Sequence, residues 1–441
     1  MSADNHAASD SITDIFRFGF DEFERYVNPL IARRAKLSGE PIRFVACADG
    51  ALLDADGKQY EDFHGTQMLG HRNANITRAV REFLDSDAPN WFPSRVNPWA
   101  GRLARRLCER SGYGNVYFGM SGADAVEAAL KLARAATGKP RIIGMQGAYH
   151  GCTYGAVSLM HDGPLYDPFG PHLPGVQKLA LGDIEALAQA LAQNDVCAVV
   201  VEPIQGEGGV HPLPPDYIAA LCRLTGQHGA LLVADEVQTG LGRSGHFLAS
   251  SQWPRQPEVA LLAKPLGGGL APISAMLTQR AVFDRAYQGD FFLGQAHNTT
   301  FGNNGLSCVA ALAMLDGLSD ELIASVGPRG AQLGAQLTKA LQANPLFAGV
   351  RGSGFMLGVQ LHQPNHPWLS FEHFGLPEFK HHPSIGLLLC HRLYRRGFFT
   401  YVCGHDWSVL RLQPRLDICP EKLAEFILCC REELDLLADL N

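Results

Sequence analysis

The middle of the chain alternates short apolar runs with segments of helical periodicity. From Asn115 onward the apolar runs read NVYF, RIIG, CAVVVE, ALLVAD, VALLA and ISAML. Between the first two, Ala125 to Ala136 carries apolar residues at positions 126, 129, 130 and 133, which lie on one face of a helix. Strands that alternate with helices predict a mainly parallel sheet with helices on both faces.

The two ends of the chain follow other patterns. Residues 43–63 contain short β-like runs with Asp56-Gly57 between two of them, which predicts a hairpin in a small β-ribbon. Helical patterns return at 329–342 and 420–438, around a short antiparallel segment.

These patterns predict how the chain divides. We expect an α/β fold with a large domain at 76–328 and a smaller α+β domain at 329–441, which the N-terminal segment 1–75 joins. A length of 441 residues with 46% apolar side chains leaves room for two such cores.

Residues 362–384 interrupt the C-terminal pattern with five His, four Pro and three Phe. This composition predicts a loop or lid, in which Trp368, Phe371 and Phe374 either shape an apolar pocket or pack on the surface. No His pair four residues apart falls on a clear helix there, so we expect no metal site.

Charge and cysteine usage exclude several classes of protein. The net charge is −7 and basic residues are not clustered, so we expect no nucleic-acid partner. The longest apolar runs are far shorter than the ~20 residues of a membrane span, and we expect no membrane crossing. The 11 cysteines are scattered, and the first residues lack a secretory pattern, so we expect reduced thiols in a cytoplasmic protein.

The segment VYFGMSGADAVEAALKLAR predicts a strand that ends at Phe118, a turn, and a helix that begins near Asp124. Free N–H groups at Gly122 and Ala123, with the Ser121 hydroxyl, would then form a cradle for a phosphate. The alternative is an ordinary turn with Ser121 as a helix cap. Neither glycine fingerprint of nucleotide-binding proteins is matched.

Two further groups follow predicted strands. In GAYHG, Tyr149 and His150 lie on a turn, where an aromatic ring either lies flat against a planar ligand or covers the core. In LLVADEVQTG, Asp235 ends an apolar strand, where a carboxylate is costly to bury without a cationic partner. It is otherwise a turn residue. Gln238, three residues later, can reach the same ligand.

Lys264 directly follows the run VALLA and precedes a triple glycine. Burial lowers the pKa of a lysine amine, which can then form a Schiff base, although a lysine here can also extend to solvent. The carboxyl ends of parallel strands form the ligand-binding edge of a sheet. A phosphate cradle, a flat aromatic ring, a carboxylate and an amine together describe a site for pyridoxal 5′-phosphate (PLP).

With these residues in place, the chain resembles the class III aminotransferases of PLP fold type I, the ornithine, acetylornithine and 4-aminobutyrate type. The resemblance runs from about Tyr26 to Leu437. Its motifs, in order, are GALLDADGKQYEDF, LGH, FGMSGADAVEAALKLAR, AYHG, VEPIQGEGG, ADEVQTGLGRSG, the Lys264 segment, TTFGNN, VRGSGFMLGV and LRLQPRL.

The resemblance implies a role for each matching residue. Lys264 holds the cofactor as a Schiff base and moves a proton, and Asp235 keeps the pyridine nitrogen protonated. Val237 and Tyr149 enclose the ring, and Gln238 approaches its phenolic oxygen. The expected cofactor-binding set is Ser121, Gly122, Ala123, Tyr149, His150, Glu207, Asp235, Val237, Gln238, Lys264 and Thr300.

Substrate binding and assembly are implied in the same way. Arg411 matches the arginine that holds a substrate α-carboxylate, and Glu207 the acid that pairs with it when no carboxylate is present. Thr300 matches a threonine that the neighbouring subunit supplies, which implies a homodimer with shared active sites. The chain departs from the family at Cys152, where an arginine usually holds a distal carboxylate, and at Ala123, where a hydroxyl residue is common.

The sequence therefore predicts an aminotransferase that moves an amino group from an amine or ω-amino acid to an α-keto acid, pyruvate or 2-oxoglutarate. The Cys152 departure favours donors without a distal carboxylate. Two alternatives stay open at this point. One is a PLP-dependent racemase, aminomutase or decarboxylase of the same fold, and the other is a non-catalytic α/β binding protein.

Overall fold

A computed structural model describes residues 12–37, 44–91, 95–160, 166–288, 297–366 and 369–439. The helices are α1 Ile12–Tyr26, α2 Pro29–Leu37, α3 Ala74–Leu84, α4 Pro98–Ser111, α5 Gly122–Thr137, α6 Tyr154–Ser158, α7 Ile184–Leu191, α8 Pro215–His228, α9 Arg280–Tyr287, α10 Gly305–Asp316, α11 Asp320–Leu341, α12 Ile385–Arg395 and α13 Pro420–Ala438. Within these ranges no helix is long and apolar enough to cross a membrane.

The strands form sheets of different sizes. They are β1 Phe44–Ala48, β2 Ala51–Asp54, β3 Gln59–Asp62, β4 Asn115–Gly119, β5 Arg141–Met145, β6 Val176–Leu179, β7 Val196–Val201, β8 Ile204–Gln205, β9 His211–Pro212, β10 Leu231–Asp235, β11 Val259–Leu262, β12 Ser274–Thr278, β13 Phe347–Ser353, β14 Met356–Leu361, β15 Phe398–Phe399, β16 Tyr401–Val402 and β17 Val409–Leu412.

The largest sheet has seven strands in the order β4-β12-β11-β10-β7-β5-β6. Strands β11, β10, β7, β5 and β6 run parallel, and β12 runs antiparallel to both of its neighbours. All six residues of β7 are buried, as expected for a central strand covered on both faces. The prediction of a mainly parallel sheet flanked by helices is confirmed, and β6 is a strand that the sequence pattern missed.

Helix α5 follows β4, and its first residues lie at the candidate site. Its apolar face, which includes Val126, Ala129, Leu130 and Ala133, is buried as the periodicity predicts. The helix begins at Gly122, which is earlier than the pattern indicates, and it ends at Gly138 in the left-handed region with φ 68°.

The N-terminal ribbon pairs with the C-terminal part of the chain. Strands β2 and β3 form the predicted antiparallel hairpin, and Gly57 in its turn has φ 79°. Strand β3 then pairs in parallel with β15, with Phe398 opposite Glu61. A second sheet, β13-β14-β17-β16, is antiparallel. The predicted domain limits stay a prediction, and the one at 328/329 falls inside α11.

The prediction that a helix starts at Arg329 was wrong, since α11 begins at Asp320 and contains Pro328. A proline inside a helix removes one backbone hydrogen bond. Ile323 and Val326 before it and Leu333 and Leu337 after it are all buried on the same core. This packing offsets the lost bond and carries the helix through the proline.

The described part of 362–384 consists mainly of turns around a short 3₁₀ helix, Pro377–Phe379. Phe371 is buried, and its ring centroid lies 5.7 Å from that of Trp407. Phe374 packs edge-on against Phe371 at 6.4 Å. Trp368 lies outside the described residues. Phe371, Leu376 and Phe379 pack on the main hydrophobic core, and none of the described residues of this segment lines the main cavity.

Candidate active site

The main cavity opens at the carboxyl ends of the central strands and has a volume of about 590 Å³. Its lining brings together most of the residues that the sequence predicts for the site, namely Ser121, Gly122, Ala123, Tyr149, His150, Asp235, Val237, Gln238 and Lys264. Cys152 and Glu202 line the same cavity. Residues that are up to 143 positions apart in the sequence therefore meet at one edge of the sheet.

Lys264 follows β11, and its side chain projects into the cavity, where a ligand can reach it. The amine nevertheless lies deep among protein groups, and this burial lowers the pKa of Lys264. The nearby Arg411 charge lowers it further, whereas the charges of Glu207 and Asp235 oppose the shift. The Nζ atom lies 5.9 Å from the centroid of the Tyr149 ring. A lysine held in this way can act as a nucleophile and as a base.

Asp235 is the last residue of β10 and is almost completely buried, with 4% of its surface exposed. One carboxylate oxygen, Oδ2, lies 2.6 Å from Nδ1 of His150, and the other accepts a hydrogen bond from the Val237 N–H at 3.1 Å. Burial lowers the pKa of His150, but the bond to Asp235 and its charge outweigh this and raise it. His150 is thus the partner that a buried carboxylate requires.

The start of α5 is both a capped helix end and part of the cavity wall, the two alternatives that the sequence left open for this segment. Ser121 caps the helix, since its Oγ accepts a hydrogen bond from the Asp124 N–H at 3.2 Å. Ser121 also lines the cavity. The N–H groups of Gly122 and Ala123 are in the first turn, where no acceptor exists within the helix. A Cβ at Gly122 would lie 3.2 Å from Cγ1 of Val237, so glycine allows the helix to approach this residue.

Glu207 and Arg411 lie beside the cavity and not among its lining residues. Arg411, on β17, donates a hydrogen bond to Glu207, which also accepts from Gly404 N at 2.8 Å and from Gln238 Nε2 at 3.2 Å. Burial alone would raise the pKa of Glu207, but the charges of Arg411 and Lys264 lower it to about 2. The carboxylate is therefore ionised. Within the described residues, Nε of Arg411 has no hydrogen-bond partner.

Glu202 is a cavity residue to which the sequence analysis gave no role. It follows β7 and is buried, and its carboxylate accepts hydrogen bonds from the N–H groups of Tyr149 and Gly206. Burial raises the pKa of Glu202 to about 7, with the charge of Asp235 adding to the shift and that of His150 opposing it. A carboxylate directly after an apolar strand is the same signal that identified Asp235, and it would have found Glu202.

Cys152 and Thr300 differ in their relation to the cavity. Cys152 lines it, with Sγ 3.5 Å from the Tyr149 hydroxyl oxygen. Thr300 is exposed, its carbonyl accepts a hydrogen bond from Nε1 of Trp91, and it is not a lining residue. Within one chain, Thr300 therefore does not join the other predicted site residues.

A model of the Aminotransferase class-III family matches residues 35–431. The chain belongs to the class III aminotransferases. These enzymes are PLP-dependent and transfer amino groups, so the fold is PLP fold type I and the cofactor is pyridoxal 5′-phosphate. Family membership excludes the non-catalytic binding protein.

Individual relatives agree with this assignment. The chain is 35% identical to the putrescine aminotransferase of Pectobacterium atrosepticum, over 95% of this chain and 88% of that protein. It is 32% identical to Aminotransferase PigE of a Serratia species over 92% of this chain but 52% of that protein, so it spans about half the length of that relative. A PLP-bound amine transaminase from an uncultivated Pseudomonas species has the same fold, with a TM-score of 0.77 and 27% identity over 89% of this chain and 94% of that one.

The cavity of this class III aminotransferase fits the cofactor. Its lining combines a helix N-terminus, which suits a phosphate, with a buried carboxylate for a cationic ring nitrogen and an accessible amine. Among the described residues, no group of His, Cys, Asp and Glu side chains is arranged to hold a metal ion.

Proposed function

We propose that the chain transfers the amino group of an amine or ω-amino acid to an α-keto acid such as pyruvate or 2-oxoglutarate. The observation that carries this proposal is the Glu207–Arg411 ion pair beside Lys264. A keto acid brings a carboxylate that takes the place of Glu207 on Arg411. A donor without an α-carboxylate leaves the pair intact, so no buried charge loses its partner. One pocket then serves both substrates.

Bound PLP supplies an electron sink that stabilises negative charge at the substrate carbon bearing the amino group. Lys264 Nζ would take the proton from this carbon and would deliver it to the cofactor carbon that carries the amino group after transfer. Asp235 would hold the proton of the ring nitrogen, and the His150 bond keeps Asp235 in position. The remaining cofactor-binding residues would be Ser121, Gly122, Ala123 and Thr300 at the phosphate, Tyr149 and Val237 on the ring faces, and Gln238 at the phenolic oxygen.

The Cys152 side of the cavity favours donors without a distal carboxylate. No arginine is present among the described lining residues, which include Cys152 at the position where the resemblance implies an arginine. Burial raises the pKa of the neighbouring Tyr149 hydroxyl, which stays neutral. A distal carboxylate finds no positive partner there, whereas a diamine needs none. The putrescine aminotransferase among the relatives is named for a diamine, which supports this preference.

We also propose a homodimer in which Thr300 of each chain completes the phosphate site of the other. Thr300 is exposed and off the cavity within its own chain, and Phe301 beside it is 50% exposed. The ring of Trp91, which is 37% exposed, lies 5.2 Å from that of Phe301, and a cluster of exposed apolar rings is typical of subunit contacts. A cytoplasmic location and the absence of nucleic-acid and membrane partners stay predictions.

A donor panel tests the proposal. Diamines, ω-amino acids and long-chain amines are each combined with pyruvate or 2-oxoglutarate, and the cofactor absorbance is followed together with the amino acid formed. We expect diamines to react faster than ω-amino acids of equal length. If no donor yields an amino acid with either acceptor, the proposal is wrong. Isotope washout from the substrate carbon without amino transfer would instead indicate the racemase or aminomutase alternative.

A further inference from the structure

The carboxylate of Glu202 joins two segments that are far apart in the sequence. Oε1 accepts a hydrogen bond from the Tyr149 N–H at 2.9 Å, and Oε2 accepts one from the Gly206 N–H at 3.0 Å. The side chain is 4% exposed. A buried carboxylate with one backbone N–H on each oxygen is satisfied in this arrangement, and both bonds are charge-assisted above the Glu202 pKa of about 7.

The Tyr149 segment lies on one side of this connection and forms part of the cavity wall near Lys264. Tyr149 carries the ring that lies below the Lys264 amine, and the next residue, His150, holds Asp235. The backbone position of Tyr149 therefore sets where two cavity groups lie. Glu202 is the side chain that fixes the N–H of this residue.

On the other side is the segment that carries Glu207, the partner of Arg411. Gly206 directly precedes it, and a Cβ at Gly206 would lie 2.5 Å from Oε1 of Gln238, so the backbone is closely packed. A second bond joins the same two segments, since Gln205 Nε2 donates to the carbonyl of Gln146 at 2.9 Å. The Tyr149 and Glu207 segments therefore lie against each other beside the main cavity.

We propose that Glu202 is a positioning residue that fastens the Tyr149 segment to the Glu207 segment, and so holds Glu207 in place as the partner of Arg411 when no substrate carboxylate is bound. Arg411 donates a hydrogen bond to Glu207 in this state. A shift of the Glu207 backbone therefore weakens the pair, which a keto acid carboxylate has to displace and a donor without an α-carboxylate leaves intact. The effect on the keto acid rests on the proposed function, but the fastening of the two segments does not.

The first test is Glu202→Gln, which keeps the shape of the side chain but leaves one acceptor oxygen in place of two. An amide group cannot accept from both N–H groups, so one of the two bonds is lost. Hydrogen exchange followed by mass spectrometry reports this directly. We expect exchange at Tyr149 or Gly206 to rise about tenfold in the cofactor-loaded protein, because the loss of a charge-assisted bond lowers local protection.

Kinetics of the same variant test the consequence for Arg411. We expect the KM for the keto acid to fall and the KM for a donor without an α-carboxylate to rise, each by about threefold, because Arg411 is easier to free and has a less fixed partner in the donor complex. Glu202→Asp keeps both oxygens, and we expect it to restore most of the wild-type KM values. A fall in kcat with both KM values unchanged would overturn the positioning role.

Glu258→Gln is the matched control. Glu258 lies at the opposite edge of the sheet, where it accepts a hydrogen bond from the Leu232 N–H at 2.8 Å and contacts Arg255. This variant should alter stability without changing the KM of either substrate or the exchange at Tyr149 and Gly206. Equal effects of Glu202→Gln and Glu258→Gln would overturn the inference.

The two proposals fail in different ways. If the variant shows faster exchange at Tyr149 or Gly206 but the wild-type protein transfers no amino group, the connection stands and the proposed function is wrong. If amino transfer is normal and exchange at both positions is unchanged in Glu202→Gln, the proposed function stands and the role of Glu202 is wrong.

Discussion

The carboxyl-end edge and the amino-end edge of the seven-stranded sheet are where its parallel strands end and begin. The two edges differ in how deeply their charged groups are buried. At the carboxyl-end edge, Glu202, Asp235 and His150 are each at most 4% exposed and surround a cavity. At the amino-end edge, Arg141 pairs with Asp195 at 2.7 Å, and the Asp195 side chain is 38% exposed. These three groups are buried at the carboxyl-end edge, whereas the Arg141–Asp195 pair at the amino-end edge lies near water.

The difference shows where this fold buries charged groups in spite of the cost of removing them from water. Removing a charge from water is unfavourable unless partners replace the lost hydration. At the cavity, each carboxylate has such partners, as His150 and the Val237 N–H show for Asp235. At the amino-end edge the ion pairs only connect neighbouring segments, where exposure makes them worth little. Substitutions at the two edges should therefore have unequal effects.

The largest effect is expected for Lys264→Ala. The amine that moves the proton is lost, and turnover should fall by about a thousandfold or more. Steady-state rates and the visible absorbance of the cofactor measure this loss. Lys139→Ala is the control from the other edge, where the Lys139 amine donates only to backbone carbonyls. Full turnover in Lys264→Ala would refute the role of this residue.

The next effect concerns the ionisation of Glu207. Its pKa is lowered from 4.5 to about 2 in the folded chain, so its contribution to stability is complete above the unfolded value and is lost as the pH falls towards 2. Between pH 6 and pH 3, the wild type should lose about 2 kcal/mol of unfolding free energy that Glu207→Gln does not lose. Denaturant titrations of both proteins across this range measure the difference. Parallel pH curves for the two would contradict the prediction.

A smaller effect is expected at the mouth of the cavity. Cys152→Arg introduces a cation, which should raise kcat/KM for an ω-amino acid about tenfold and lower it for a diamine by a similar factor. Cys152→Ser changes no charge and should leave the donor ranking as it is. An unchanged ranking in the arginine variant would show that the distal end of the donor binds elsewhere.

The smallest effect is expected at the amino-end edge. Asp195→Asn removes the charge partner of Arg141, and the exposed pair should be worth only about 0.5 kcal/mol of stability. Thermal unfolding measures this, and kcat/KM for all substrates should stay within error of the wild type. A loss of activity comparable with that of the cavity variants would contradict the predicted difference between the two edges.

Much of this arrangement could be predicted from local patterns. Lys264 and Asp235 each stand at the end of an apolar run, and the topology of a parallel sheet brings such positions to one edge. The glycine at 122 and the periodicity of α5 are equally local signals. These features need no knowledge of distant contacts, and the structure places them together around one cavity.

Other features depend on contacts that no local pattern records. Strand β12 looks like its parallel neighbours in composition, and only its pairing makes it antiparallel. Helix α11 continues through Pro328 because both halves pack on one core. The function of Glu202 depends on the N–H groups of Tyr149 and Gly206, which reach it only in the folded chain.

The parallel pairing of β3 with β15 has a consequence for how the chain is made. Strand β3 leaves the ribosome roughly 340 residues before its neighbour β15. At ordinary rates of translation that interval is about 20 to 70 s. During this time the N-terminal hairpin presents an unpaired edge, which is a template for aggregation. The N-terminal hairpin of the nascent chain therefore has an edge open to pairing with other chains until translation reaches Phe398.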